Sequence, residues 1–373
     1  QIEDCLMGVL LTIEAVLQNL NALIRMTSTP LKNTIALICL TLLWTSGSPV
    51  SWANMEPIPP FMGDWEGGWV EAPKKDGNAK NNPGLVARVI GVGNDRYEIQ
   101  IMEEFDKRAD FKFKTEAVWN NGKMTFDQNG YSGTITADSF TGKKAGGAFE
   151  TLFSLKRTHR TAPSLGAKAP ANAVVLFDGS NLDAWERQNG EEPTWLVENG
   201  HFEVLPKKDN KGVGGSINTR RSFGDVKVHL EFRLPYEPEH RGQKRANSGF
   251  FLPGGYEVQI LDSYGLGGMW NECGALYKQS PPRVNMCWAP GVWQTYDVEF
   301  KRLRRDSEGN KVDHAEFTVW HNGVKIHNSF QIKGPTANTQ KGRGQAESGE
   351  NGGLSLQDHS NKIQFRNIWV MEQ

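Results

Sequence analysis

The sequence predicts an all-β chain: a small β domain followed by a larger two-sheet jelly-roll sandwich. Three observations carry this reading. From residue 63 to residue 371 the chain is a series of short runs that are apolar or alternate apolar with polar residues. Turn residues separate those runs at regular spacing, drawn from 40 Gly and 18 Pro. Helical periodicity is almost absent over the same span. With 373 residues, 38% hydrophobic and 10% aromatic, there is room for two domains. A net charge of −1, with no clustered basic stripe, speaks against a nucleic-acid or anionic-membrane partner.

The first 53 residues are read as outside the fold. From Met26, the run MTSTPLKNTIALICLTLLWTSGSPVSWAN has the parts of a secretory signal. Lys32 is the positive residue, Ile35 to Trp44 the apolar core, and Ser51-Trp52-Ala53 the small-x-small cleavage pattern. The apolar run is short for a membrane span. Residues 1–25 read as a mis-extended start, and the protein is expected to be exported. Cys5 and Cys39 fall in this excluded part, which leaves Cys273 and Cys287. Two cysteines in an oxidising compartment, bracketing a Gly/Pro-containing loop, are expected to form a disulfide.

Residues 54–157 are expected to form the small accessory β domain. Its runs are GDWEGGW (63–69), LVARVIGV (85–92), RYEIQIM (96–102), FKTEAVW (113–119), KMTFDQ (123–128), GTITADSF (133–140) and FETLFSLKR (149–157). No convergent set of reactive residues stands out in them. Residues 158–173 (THRTAPSLGAKAPANA) are rich in Ala, Pro and Ser and read as a linker.

Residues 174–373 form the larger domain. Its runs are VVLFDG (174–179), TWLVENGHFEVL (194–205), VKVHLEFRL (226–234), TYDVEFKR (295–302), AEFTVWHNG (315–323), VKIHNSF (324–330), GLSLQDH (353–359) and KIQFRNIWVM (362–371). Asn322-Gly323 marks a hairpin. Residues 334–353 are a long Gly-rich polar loop. Between them lies ANSGFFLPGGYEVQILDSYGLGGMWNECGALYKQ (246–279), two strands joined by Pro253-Gly254-Gly255. Alternation places Val258 and Ile260 in the core and Glu257, Gln259 and Leu261 on the other face.

Polar faces of the larger domain supply the candidate chemistry. Glu231 and Arg233 share one face of 226–234, Glu257 and Gln259 one face of 256–261, and Gln357 and His359 one face of 353–359. Converging on one concave sheet, a carboxylate, an amide and an imidazole would bind a sugar and move a proton. The plainer reading of Glu231 with Arg233 is a surface salt-bridge ladder. A retaining glucanase would want two carboxylates about 5 Å apart, and here Gln259 and Leu261 follow Glu257. There is no phosphate loop and no Gly-x-Ser-x-Gly elbow. His321 and His327 lack zinc-site spacing.

Four stretches then bring a family into view: VVLFDGSNLDAWE (174–186), ANSGFFLPGGYEVQILDSYG (246–265), CGALYKQSPPRVNMCWAPGVWQTYDVEF (273–300) and GGLSLQDHSNKIQFRNIWV (352–370). In order and over all of 174–373, they resemble the 3-keto-disaccharide hydrolase domain, long known only as a domain of unknown function. The GDWEGGW module resembles the N-terminal companion of planctomycete-type members. The resemblance implies a concanavalin-like (LamG-like) jelly roll that cleaves 3-keto-glycosides by β-elimination and hydration, with a carbohydrate as partner and no organic cofactor. In that scheme His359 is the first choice for base, and Glu257 a second acid/base or ligand. Asn247, Gln259 and Tyr277 position sugar hydroxyls, with Glu231, Arg233 and Gln357 on the substrate face. A divalent cation is a candidate electrophile, with Glu257, His359 and Asp262 as its ligands. Arg366 is expected to pair with a carboxylate. The alternative is a non-catalytic, lectin-like carbohydrate-binding module on the same sandwich.

Overall fold

The computed structural model describes residues 57–70, 84–106, 111–146, 149–334, 336 and 351–373. The leader and its cleavage site, and most of the Gly-rich loop after Gly334, lie outside the described residues. Residues 56–373 form one compact unit. The described residues hold only strands and short 3-10 turns, and no helix among them is long and apolar enough to cross a membrane.

The N-terminal part is an antiparallel sheet of β1 (Gly63–Val70), β2 (Gly84–Gly91), β3 (Arg96–Met102), β4 (Phe113–Val118), β5 (Met124–Gln128), β6 (Tyr131–Ile135), β7 (Phe140–Gly146) and β8 (Phe149–Arg157). Its order is β4-β3-β2-β1-β8-β7-β6-β5. The two outermost strands are consecutive in sequence and are linked by Thr115 Oγ1 donating to Gln128 Oε1 at 2.5 Å. One face, with Trp65, Leu85, Ala87, Val89, Ile99, Ile101, Phe140 and Phe153, makes a separate core. The run GTITADSF, read as one strand, is split between β6 and β7. The Thr136 hydroxyl accepts the N–H groups of Asp138 (3.3 Å) and Ser139 (3.1 Å) and reverses the chain there.

The C-terminal sandwich adds β9 (Val174–Phe177), β10 (Trp185–Arg187), β11 (Leu196–Glu198), β12 (His201–Glu203), β13 (Ile217–Thr219), β14 (Val226–Arg233), β15 (Ser248–Leu252) and β16 (Tyr256–Ile260). It continues with β17 (Trp293–Lys301), β18 (Arg304–Arg305), β19 (Lys311–Asp313), β20 (Ala315–His321), β21 (Val324–Ile332), β22 (Ser355–Leu356) and β23 (Gln364–Glu372). The larger sheet runs β11-β12-β23-β14-β17-β20-β21, with β9 also on β23, and the smaller runs β10-β13-β22-β15-β16. Val226, Val228, Leu230 and Phe232 from the larger sheet share one core with Phe250, Val258 and Ile260 from the smaller. A fully buried side chain of this kind contributes about 1.5–3 kcal/mol, so the sandwich rests on its inward faces. Its outward faces are left for polar residues.

Two expectations are corrected here. The segment 158–173 connects the sheets but is not a free linker, because it is strapped to the outer face of the larger sheet. The Ser164 hydroxyl donates to Asp297 (2.5 Å), the Gly166 N–H to Glu231 (2.5 Å), and Asn367 Nδ2 to the Ala167 carbonyl (3.0 Å). Cys273 and Cys287 are free thiols rather than a disulfide. Both are buried in the sandwich core, where each has a polar neighbour: Tyr296 Oη lies 3.2 Å from the Cys273 sulfur, and the Leu261 carbonyl 3.4 Å from that of Cys287.

Candidate functional site on the smaller sheet

The hairpin of β15 and β16 builds the site. Its turn takes Gly254 and Gly255 at φ 88° and 77°, which an L side chain rarely adopts. Beyond the turn Tyr256, Val258 and Ile260 face the core, so Glu257 and Gln259 face outward. The strand ends at Ile260, so Leu261, expected beside them, turns into the core instead.

Outward does not mean exposed. Glu257 is 4% and Gln259 1% accessible. The segment Gly274–Tyr277 runs along the free edge of β16: Gln259 N–H donates to Ala275 (2.9 Å), Gly274 N–H to Gln259 (2.9 Å) and Tyr277 N–H to Glu257 (3.2 Å). The Glu257 N–H donates to the Thr336 hydroxyl at 2.8 Å.

The Glu257 carboxylate lies across β15, over Gly249. A β-carbon on Gly249 would sit 2.7 Å from the Phe251 ring and closer still to a Glu257 oxygen, so the absent side chain is what makes room. The Gln259 amide nitrogen faces the Ser248 carbonyl (2.9 Å) and the carboxylate (3.1 Å). Its other end is 3.1 Å from the Gln243 amide. Burial, and then the negative charge of Glu257, push the Tyr277 hydroxyl above its ordinary value, so it stays a proton donor at neutral pH. Trp270, 44% exposed, meets Tyr277 edge-on at 5.6 Å and gives the site an aromatic wall. A buried carboxylate, an amide, a protonated phenol and an indole are a set suited to holding a sugar and removing a proton from carbon.

The other expected residues are not all brought here. Asn247 borders the site, but its N–H is taken by Asn361 (3.0 Å) and its amide donates to the Gln243 carbonyl (2.8 Å), so it holds a loop. Gln357 lies in the row of Gly249 and Gln259, its N–H donating to the Gly249 carbonyl (3.0 Å). His359 is exposed in the bend after β22, because that strand ends at Leu356 and does not carry the alternation to residue 359. Asp262 is buried in an ion pair with Arg245 at 2.6 Å. Glu257, His359 and Asp262 therefore do not fit as a cation's ligand set. Among the described residues no group of three His, Cys, Asp or Glu is placed to hold one.

Glu231 and Arg233 lie on the other side of the sandwich, so the expected convergence with Glu257 and Gln259 fails. They stand on the outer face of the larger sheet beneath the strap at 164–167. Burial pushes Glu231 up, but hydrogen bonds from His229, Asn367, the Gly166 N–H and Arg366 outweigh it and bring the carboxyl to about 2. The Arg366 contact, 2.6 Å, is the expected arginine–carboxylate pair. Burial pushes His229 down, while Asp297 (2.7 Å) and Glu231 raise it overall. Arg233 donates to Gln364 (2.6 Å) and stacks over Trp293. This face is a clamp for the connecting segment.

Three residues of the site carry no mark in the sequence pattern: Gln243 in a 3-10 turn, Gly249 as one glycine among 40, and Trp270 as one tryptophan among 12. Only an exposed indole set edge-on to Tyr277 distinguishes Trp270, and that is not a sequence property.

Residues 172–371 match the family described as the 3-keto-alpha-glucoside-1,2-lyase-like domain. The N-terminal sheet lies outside that match. A candidate glycosyl hydrolase of known structure from Parabacteroides distasonis is 38% identical over 55% of this chain and 85% of its own, with a TM-score of 0.49. A second from the same organism is 22% identical over 54% of this chain and 94% of its own, with a TM-score of 0.38. No curated protein matches the chain.

Proposed function

Since the chain belongs to the 3-keto-alpha-glucoside-1,2-lyase-like domain family through residues 172–371, we propose that it is a glycoside-cleaving enzyme whose substrate is already oxidised to a ketone at C3. The observation that carries this reading is the single buried carboxylate of Glu257, followed along β16 by Gln259 where a paired carboxylate would stand. Such a site suits proton abstraction from carbon better than stabilisation of an oxocarbenium ion.

The ketone acidifies the hydrogen at C2. Glu257 takes that proton, and the electron pair moves into the C2–C3 bond while charge builds on the C3 oxygen. The Tyr277 hydroxyl donates a hydrogen bond to that oxygen, where it counts most as charge develops. The enolate then expels the C1 substituent, leaving a C1–C2 double bond conjugated to the ketone. Glu257 exchanges its proton with solvent as the aglycone leaves; water then adds at C1 and loses its second proton to solvent while the Glu257 carboxyl protonates C2, so the net reaction is hydrolysis. Trp270 and Gln259 hold the ring in place. The departing oxygen takes its proton from solvent.

The test is aglycone release from a 3-keto-glucoside and from its unoxidised parent. Release from the keto-sugar alone is expected. Glu257→Gln should lower turnover by roughly 10²–10⁴-fold, the usual worth of a positioned base, while still binding the substrate. Cleavage of both sugars alike, or binding of the keto-sugar without any turnover, would contradict the reading; the second result is that of a lectin-like module.

A further inference from the structure

The two loops that bring Gln243 and Trp270 to the site both rest on the N-terminal sheet, which lies outside the family match. The first loop, residues 236–245, crosses the end of β2 and the turn after it. The Tyr236 ring lies over Gly91, where a β-carbon would fall 2.8 Å from its Cε2. The Glu239 carboxylate lies over Gly93, where a β-carbon would sit 2.5 Å from its Oε2, and it accepts the Asn94 N–H at 2.8 Å. Gly93 takes φ 76°, so this turn depends on glycine. The Arg241 guanidinium donates to the Val92 carbonyl. Residues 91–94 of the N-terminal sheet thus seat Tyr236, Glu239 and Arg241.

The second loop, residues 261–272, has its own seat. The Tyr264 hydroxyl donates to Asp64 (2.6 Å) and Gln100 Nε2 to the Gly265 carbonyl (2.8 Å). Between these seats a cleft of ≈ 300 Å³ opens, with Ile90, Arg96 and Glu98 on the sheet side and Gly242, Asp262 and Leu266 on the loop side. The lie of the first loop therefore depends on a few hydrogen bonds rather than on continuous packing.

Gln243 is where the two loops meet the site. It stands in the 3-10 turn Gly242–Lys244, just beyond Arg241. Its Nε2 donates to the carbonyl of Asn271, beside Trp270 (2.8 Å), and its own backbone carbonyl accepts from the Asn247 amide (2.8 Å). Its side chain lies 3.1 Å from the Gln259 amide, which in turn lies 3.1 Å from the Glu257 carboxylate. One side chain thus sets the spacing between the strand that carries the carboxylate and the loop that carries the aromatic wall.

We infer that the N-terminal sheet is a working part of the site: through Glu239 and Arg241 it positions Gln243, and Gln243 positions Gln259 and Trp270 around Glu257. Glu239, Arg241 and Gln243 are positioning residues, acting through Gln259 and Trp270. The consequence for turnover rests on the function proposed above; the positioning itself does not.

The test is a double-mutant cycle on cleavage of a methyl 3-keto-glucoside, with melting temperature and amide hydrogen exchange measured on the same proteins. Glu239 and Arg241 are exposed, so their truncation leaves the fold intact. Misplacing a reacting group by about 1 Å costs roughly 10²-fold, so the smaller shift in Arg241→Ala should lower kcat/KM about tenfold. Glu239→Ala should act in the same direction, and Arg241→Lys, which keeps a donor for Val92, should stay near wild type. Because Arg241 acts through Gln243, Arg241→Ala/Gln243→Ala should be no slower than Gln243→Ala alone, whereas independent effects would add. Exchange should quicken over 271–277, where the Gly274 and Tyr277 N–H groups bond to β16, in both single variants. Additive losses, or full turnover in Arg241→Ala and Glu239→Ala, overturn the positioning while the reaction stands. A wild type that does not cleave the keto-sugar removes the reaction, and exchange then decides the positioning alone. Unchanged exchange over 271–277 in Arg241→Ala overturns it, and faster exchange there upholds it.

Discussion

A glycine on the neighbouring strand decides where the Glu257 carboxylate lies. The space over Gly249 is occupied by that carboxylate, and the nearest obstacle to a β-carbon there is the end of a flexible side chain. Gly249→Ala should therefore move the carboxylate and press on the Phe251 ring, 2.7 Å from the added carbon, rather than break the strand. We expect a turnover loss of roughly 10²-fold, since misplacing a reacting group by about 1 Å is worth that much, with a melting temperature within a few degrees of wild type. An unchanged turnover, measured beside thermal unfolding, would show that the carboxylate does not act from this position. At this scale the sequence was readable where alternation alone decided. Glu257 and Gln259 fall opposite Val258 and Ile260, as they must in any strand. Gln243 and Trp270 were unreadable because loops bring them in, and no periodicity describes a loop. His359 and Asp262 were misjudged for a related reason: β22 and β16 stop short of them, so neither inherits its strand's face.

The outer face of β14 shows what a buried polar cluster does when it is not a binding site. Glu231 is held at about 2 by its hydrogen bonds despite burial, and it fastens the segment 164–167 to the sheet. Its folded value is below its ordinary 4.5, so the stability it contributes is full above pH 4.5 and lost as pH falls towards 2. His327 acts in a different window with the same sign. Burial, against a hydrogen bond to the Gly274 carbonyl (2.8 Å), lowers it from 6.5 to about 4. The unfolded chain then binds a proton that the folded chain refuses, so stability falls between pH 6.5 and pH 4, by on the order of 3 kcal/mol. Melting temperature should decline in two stages on acidification. His327→Gln should make the decline between pH 6.5 and 4 shallower, while His321, which burial lowers to about 3, still contributes to it. Glu231→Gln should flatten the stage between pH 4.5 and 2, and cost about 2 kcal/mol at pH 7 by leaving Arg366 without its carboxylate. A melting profile whose acid slope neither variant alters would contradict this account of the two groups.

In the whole molecule, two polar faces look outward from opposite sides of one sandwich. The alternation of VKVHLEFRL and YEVQI gave each strand an inner and an outer face, and the all-β architecture followed from the runs and turns. Parity along a strand cannot say which sheet the strand joins. For that reason Glu231 and Arg233 looked equivalent to Glu257 and Gln259 until the pairing separated them: β14 lies between β17 and β23, and β16 at the edge beside β15. The thiols mislead in the same way, because spacing in the chain says nothing of the core that buries them. The N-terminal sheet joins the sandwich through buried contacts, with Tyr264 Oη donating to Asp64 (2.6 Å) and Gln100 Nε2 to the Gly265 carbonyl (2.8 Å). That junction fastens the loop after β16 to the N-terminal sheet.

The central claim is that Glu257 removes the proton at C2. The most direct measurement is the reaction of a 3-keto-glucoside in D2O, following deuterium at C2 of the released 3-keto-glucose by NMR, with wild type, Glu257→Gln and an enzyme-free control. Elimination followed by hydration predicts deuterium at C2 in every enzymatic turnover, with both incorporation and release lost together in Glu257→Gln. Product that keeps its C2 proton while the aglycone is released would mean direct displacement at C1, and would contradict the account.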